Sequence, residues 1–221
     1  MAAQLISFIY NEIRLEWRNR YTVNGIILYL VSTVFICYLS FSVRANQLNP
    51  ITWNVIFWLI ILFSSINAVA KSFIQETEGS FLYLYYTHSP QVIILGRIIY
   101  NSLLMLSLSL VGFGAYALVL GNPVEDIWVY LLVVVLGSVG LSFSMTMVSA
   151  IASKARNSNT LMAILSFPVV LPILLMVIKI SKNAINGVER LASVDDFMVL
   201  LAINALIAAA SYLLFPYLWR S

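Results

Sequence analysis

The chain has 221 residues, of which 62% are hydrophobic and 10% charged, with a net charge of +3 and a mean hydropathy of +0.95. A soluble domain is about half apolar and about a quarter charged, so these residues cannot cover a globular surface with polar groups. The composition argues against a soluble enzyme, a disordered chain and a nucleic-acid-binding module, and points to a polytopic membrane protein.

A helical span needs about 20 apolar residues, so this length suits six spans with short connections and no appended soluble domain. There is no GxxxxGK[S/T] run and no GxGxxG run, and hence no sequence signal for a nucleotide-binding fold. Cys37 is the single cysteine, which excludes an intrachain disulfide and a cysteine metal cluster.

Residues 4–20 come first. Leu5, Phe8, Ile9, Ile13 and Trp17 recur at spacings of three and four, and the charged residues fall mostly on the other side. This pattern predicts an amphipathic helix lying in the headgroup region. The charges from Glu12 to Arg20, with no small-residue cleavage site after them, do not read as a cleavable leader. Spans are then predicted over about 21–43, 51–70, 98–120, 127–152, 161–180 and 197–218, the third with an alternative start near Val92. Trp53, Trp58, Trp128 and Trp219 fall near span ends and read mostly as interface anchors. Asn24, Asn54, Asn67 and Asn101, with the serines of spans three and four, either line an interior or bind helices together.

The bases set the orientation. With the N-terminus inside, eight of the 12 Lys and Arg residues are cytoplasmic, including Arg14, Lys71, Arg97 and Lys154. Arg44, Lys179, Lys182 and Arg190 lie on the other side. Both termini are thus predicted to be cytoplasmic, and Gly121–Asp126, which carries acids and no base, to be an outer turn.

The long inner segment, 71–97, carries the most information. Glu76 and Glu78 precede Gly79 and Ser80, then come Phe81, Leu82, Tyr83, Leu84, Tyr85 and Tyr86, and His88, Ser89 and Pro90 close it. Glycine readily takes the left-handed cap conformation, so Glu78-Gly79 stops one helix. Ser89-Pro90 starts another, with serine as cap and proline in the first turn. A short aromatic helix between them suits either a protein-docking knob or an ordinary loop resting in the headgroups.

This segment resembles the first cytoplasmic loop of the haem exporter protein B (CcmB) family, the permease subunits of the cytochrome c maturation ABC transporter. The matching residues are Glu76, Glu78-Gly79-Ser80, Leu82, Leu84 and Ser89-Pro90. Many members carry an acidic residue after the first leucine, where this chain has Tyr83. The start, Asn11 to Arg18, is similar to the family's N-terminal acidic-and-basic helix. The leucine-rich stretch holding Pro168 and Pro172 resembles the family's proline pair in the fifth span.

The resemblance implies two copies of this chain on two ATPase subunits (CcmA-like). It also implies a haem-handling membrane subunit (CcmC-like) and a small single-span subunit (CcmD-like), all in the bacterial inner membrane. Glu76, Glu78, Gly79, Ser80, Leu82, Ser89 and Pro90 would form the ATPase-coupling loop. ATP would be bound and hydrolysed by the partner, haem would be the candidate substrate, and this chain itself would be non-catalytic. His88, the single histidine, reads as a capping or interfacial side chain rather than a haem ligand, given its cytoplasmic placement.

Pro168 and Pro172 remove backbone donors within the fifth span, giving either a hinge beside a substrate path or a fixed packing kink. No acidic residue lies deep in any span, which argues against a proton relay or sodium site. The expected fold is therefore all-α: a single permease domain over 1–221, with six transmembrane helices (ABC-2-like) and an N-terminal interfacial helix. The expected function is haem export coupled to a separate ATPase. An ABC-2 permease for a lipid, drug or glycan and a non-transporting assembly scaffold are the alternatives.

Overall fold

The structure is a computed structural model that describes residues 2–19, 21–42, 48–69, 89–154 and 158–220. It is all-helical among those residues. The elements are α1 (Ala2–Asn19), α2 (Tyr21–Ser42), α3 (Pro50–Ala68), α4 (Pro90–Leu120), α5 (Ile127–Ala152), α6 (Ser158–Ile185), a 3₁₀ turn (Arg190–Ser193) and α7 (Val194–Arg220). Helices α2 to α7 are the 6 candidate membrane spans, each long and apolar enough to cross a bilayer.

Helix ends follow local chemistry. The Asn49 side chain accepts a hydrogen bond from the Ile51 N–H at 3.0 Å, and Pro50 opens α3. Asp126 caps α5 by accepting from the Val129 N–H at 3.2 Å. Gly121, at φ 82°, ends α4, and Gly187, at φ 62°, turns the chain after α6. Both glycines take left-handed backbone that side chains disfavour.

The bundle is arranged around α5. Some 61% of α5 is buried, against 17% of Asn24–Phe41 in α2. Its residues are small where neighbours cross. A Cβ added at Gly137 would lie 2.6 Å from Trp58 of α3 and 2.8 Å from Val177 of α6. At Gly140 it would collide with Asn204 of α7. Small residues let backbones approach closely, which is how helices gain contact in a solvent as apolar as their own side chains.

Side-chain hydrogen bonds join the same helices. Asn54 of α3 donates to the Ile178 carbonyl of α6 at 3.2 Å and accepts from the Tyr130 hydroxyl of α5, also at 3.2 Å. Trp58 donates to the Ser181 hydroxyl of α6 at 2.9 Å. Asn101 of α4 donates to Thr146 of α5 at 3.0 Å, and Asn204 of α7 donates to the Leu136 carbonyl at 3.0 Å. Asn54 and Asn101 therefore bind helices together, whereas Asn67 bonds to its own helix, at the Phe63 carbonyl.

Trp53 and Trp58 correct the sequence expectation. Both are 1% exposed and lie in the core, not at an interface. Trp53 packs against Tyr116 with ring centroids 4.7 Å apart, within a cluster that includes Phe57, Phe113 and Tyr130. Position near a span end does not determine which way a tryptophan faces. Trp128, by contrast, is 72% exposed, as a membrane anchor would be.

A second, smaller core lies where α1 meets the bundle. Phe8 packs with Val92, Ile93, Ile94 and Ile98 of α4, Ala150 of α5 and Phe215 of α7. The span expected from about Ile98 thus begins as helix at Pro90, two turns earlier by helix pitch, about 3.6 residues per turn. Arg97, read from the sequence as the end of a loop, sits inside that helix and is buried. It is accommodated by Glu12 of α1, which lies 3.5 Å away.

Asn54 holds three helices through two bonds, so Asn54→Ala should lower the unfolding free energy in detergent by about 1–2 kcal/mol. Asn67→Ala should change it little. Equal melting temperatures for the two variants would contradict this account of the bundle.

Candidate functional site

Two features selected from the sequence can be located, in part. The first is the segment read from the sequence as an ATPase contact. Glu76, Glu78, Gly79, Ser80, Leu82 and His88 lie outside the described residues. Ser89 and Pro90 lie at the entry of α4, Ser89 as N-cap residue in extended conformation and Pro90 at the first helical position. The Ser89 carbonyl accepts from the Val92 and Ile93 N–H groups, at 3.0 and 3.2 Å, while its hydroxyl makes no cap bond. The expected start is therefore occupied, but the carbonyl rather than the hydroxyl serves the turn.

The second is the proline pair. Pro168 and Pro172 both lie within α6, whose helical assignment continues through them. Val170, Ile173, Val177 and Ile180 form its inward face. Ile164, Phe167, Pro168, Leu171, Pro172 and Leu175 form its outward face. A proline has no N–H, so the Ile164 and Pro168 carbonyls lack their ordinary donors four residues on. Ser166 does not supply Ile164, because its hydroxyl donates to the Ala163 carbonyl at 3.1 Å.

Beside that face runs a groove of about 540 Å³ between α3 and α6. Its walls include Phe63 and Asn67 from α3 and Ser166, Phe167 and Val170 from α6, with Met145 of α5 also lining it. It is apolar with two polar groups, the character of a ligand-sized cleft or of a surface that receives another helix. Asn67 was recognisable as an interior candidate, but the groove joins elements about 100 residues apart and no local pattern announces it.

At the other end of the bundle from α1, the Gly121–Asp126 turn is fastened to the α6–α7 connection. Arg190 donates to both Asp126 carboxylate oxygens, at 2.7 and 3.3 Å, and the Asp126 N–H donates to the Ala184 carbonyl at 3.0 Å. Lys179 reaches Asp196 at 2.7 Å, and Asn183 donates to Ser193 at 3.2 Å. Asp196 lies in the first turn of α7, where the helix dipole favours an acid. The sequence pointed to Asp126 as an acid without a nearby base; its partner arrives from 64 residues away.

Six apolar helices, the coupling-segment residues and the proline pair can now be set beside known families. The CcmB protein family model matches residues 3–217. The chain belongs to the CcmB protein family. Members are membrane permease components of the haem-exporting ABC transporter for cytochrome c maturation, and this chain is such a component. Comparison with curated proteins gives no match.

The Asp126–Arg190 pair has a pH signature. The hydrogen bonds from Arg190 hold the Asp126 carboxyl below its ordinary value. A carboxylate with a lowered folded pKa adds stability above its unfolded pKa and loses it as pH falls through the folded one. Acidification below the ordinary carboxylate range should therefore loosen this end of the bundle, and Asp126→Asn should remove that part of the response. Melting curves of the two proteins that remain parallel from neutral to acid pH would refute the assignment.

Proposed function

We propose that this CcmB protein works as a homodimer on two separate ATPase subunits (CcmA-like), with CcmC-like and CcmD-like proteins beside it in the bacterial inner membrane. ATP is hydrolysed on the partner, and this chain turns the ATPase cycle into release or movement of haem. The segment from Glu76 to Pro90, with Glu78, Gly79, Ser80, Leu82 and Ser89, is the ATPase contact. Both termini lie in the cytoplasm, and α1 rests in the inner headgroup region. In support, Ile6, Tyr10 and Ile13 of α1 remain exposed while Phe8 packs inward, leaving an apolar stripe for lipid. External acid reaches Asp126 in sealed cells only if that end is outside, so its acid response also tests the orientation.

The observation that carries the membrane half of this reading is the outward face of α6. Carbonyls freed by Pro168 and Pro172 cannot stay bare against acyl chains. A second copy or a hydrated path covers that face, with the α3–α6 groove beside it. Proline positions also bend more readily than an uninterrupted helix, so α6 is the wall that moves between two states. Haem is the substrate of this system and no cofactor is assigned to the chain.

Two experiments test the reading. Glu78→Lys should weaken copurification of the ATPase while the permease stays in the membrane. Retained ATPase together with normal cytochrome c maturation would remove the segment from this role. Pro168→Ala with Pro172→Ala should insert normally, since alanine is the better helix former, yet maturation should fall. Full maturation in the double variant would reduce the prolines to packing features.

A further inference from the structure

The contact between α1 and α4 is more specific than membrane anchoring requires. A helix that only rests in headgroups needs an apolar stripe, and Ile6, Tyr10 and Ile13 supply one. The opposite side of α1 is fitted to a protein surface. Phe8 is 3% exposed, and its ring occupies the space where a side chain at Gly96 would begin, so a Cβ there would collide with it. Four residues on, one helical turn, Glu12 meets the buried Arg97 at 3.5 Å. An aromatic ring seated on a glycine and a covered ion pair, on consecutive residues of α4, fix both the position and the rotation of α1 along α4.

The joined segment is well placed. Gly96 and Arg97 are about two turns into α4, whose entry, Ser89-Pro90, is the described end of the segment assigned above to the ATPase. The same small core reaches Ala150 near the end of α5 and Phe215 near the end of α7. A displacement at Ser89 is therefore not free to dissipate in the first turns of α4. It is shared at once with α1, α5 and α7, the last two belonging to the body of the bundle.

We infer that Glu12 and Phe8 are positioning residues of the transport cycle: they clamp α1 on Gly96 and Arg97, so that the start of α4 moves as one body with α1 and the inner ends of α5 and α7. Neither residue touches substrate or nucleotide. Their effect is on the fraction of the ATPase cycle that reaches the membrane helices. The inference rests on the coupling role proposed for the segment ending at Pro90.

The test uses the complete transporter, with its ATPase, in membranes. Glu12→Ala removes the carboxylate that meets Arg97, and Gly96→Ala pushes the Phe8 ring off its seat. Both should assemble with a normal amount of ATPase and continue to hydrolyse ATP, while cytochrome c matured per ATP falls on the order of tenfold, within the usual range of conformational coupling. Two second-site variants should restore the ratio: Phe8→Leu in the Gly96→Ala background, by withdrawing ring atoms, and Arg97→Glu in a Glu12→Arg background, by reversing the pair. An unchanged ratio in both single variants overturns the inference. So does a loss that follows only the amount of assembled complex, or one that neither second change restores. Failure of the coupling segment itself reads differently, as Glu78→Lys leaving ATPase association and maturation intact.

Discussion

A bilayer removes the force that normally drives helices together. Lipid tails are as apolar as leucine, so burying one apolar helix against another gains little from water release. What remains is close packing and polar bonds, and both concentrate on α5. Gly137 and Gly140 admit Trp58, Val177 and Asn204 at distances no side chain would allow. Tyr130, Leu136 and Thr146 receive or donate bonds linking α3, α7 and α4 to it. Ser138, Ser142, Ser144 and Ser149 are all fully buried on the same helix. Their hydroxyls add little volume, so they keep α5 narrow as well as polar.

Charge follows a second constraint, that an ion under lipid must be paired or must reach water. Arg97 is paired by Glu12 from a helix outside the spans, which lets α4 extend into the region of α1 without exposing a guanidinium. At the other end, Arg190 and Lys179 are themselves well exposed, and each holds a more covered acid. Glu12 and Arg97 are both largely covered, and breaking a covered pair is strongly destabilising, whereas exposed pairs contribute little. The Glu12–Arg97 pair is thus a structural commitment, and the pairs at the other end are fasteners that conditions can loosen.

This contrast explains which parts were legible in the sequence. Hydropathy identifies apolar segments, and α5 extends over the expected 127–152, because its ends are marked by Asp126 and by the polar residues after Ala152. Hydropathy does not say which residues face inward. Trp53 and Trp58 resemble anchors in one dimension and are core in three, because the groups that receive them, Tyr116 and Ser181, lie 63 and 123 residues away. Arg97 looks like a loop boundary because a charge usually marks one; the Glu12 that meets it within the helix lies 85 residues earlier by position number. The proline pair was visible by its own chemistry, but its outward placement follows from the inward stripe of Val170, Ile173 and Val177, which is packing rather than pattern.

These two regions assign different tasks to the two sides of one bundle. Around α5, the approaches at Gly137 and Gly140 and the hydrogen bonds of Tyr130, Leu136 and Thr146 have one good arrangement, so that side resists change. The outward face of α6 has neither. Its Ile164, Phe167, Leu171 and Leu175 face outward from the bundle, and its backbone has lost two donors within about one turn. Tight packing on one face and missing backbone bonds on the other thus meet in the same helix. In the function proposed above, a cargo or a second subunit resting on the proline face would shift α6 between two states by contact with one face alone, leaving the contacts around α5 in place.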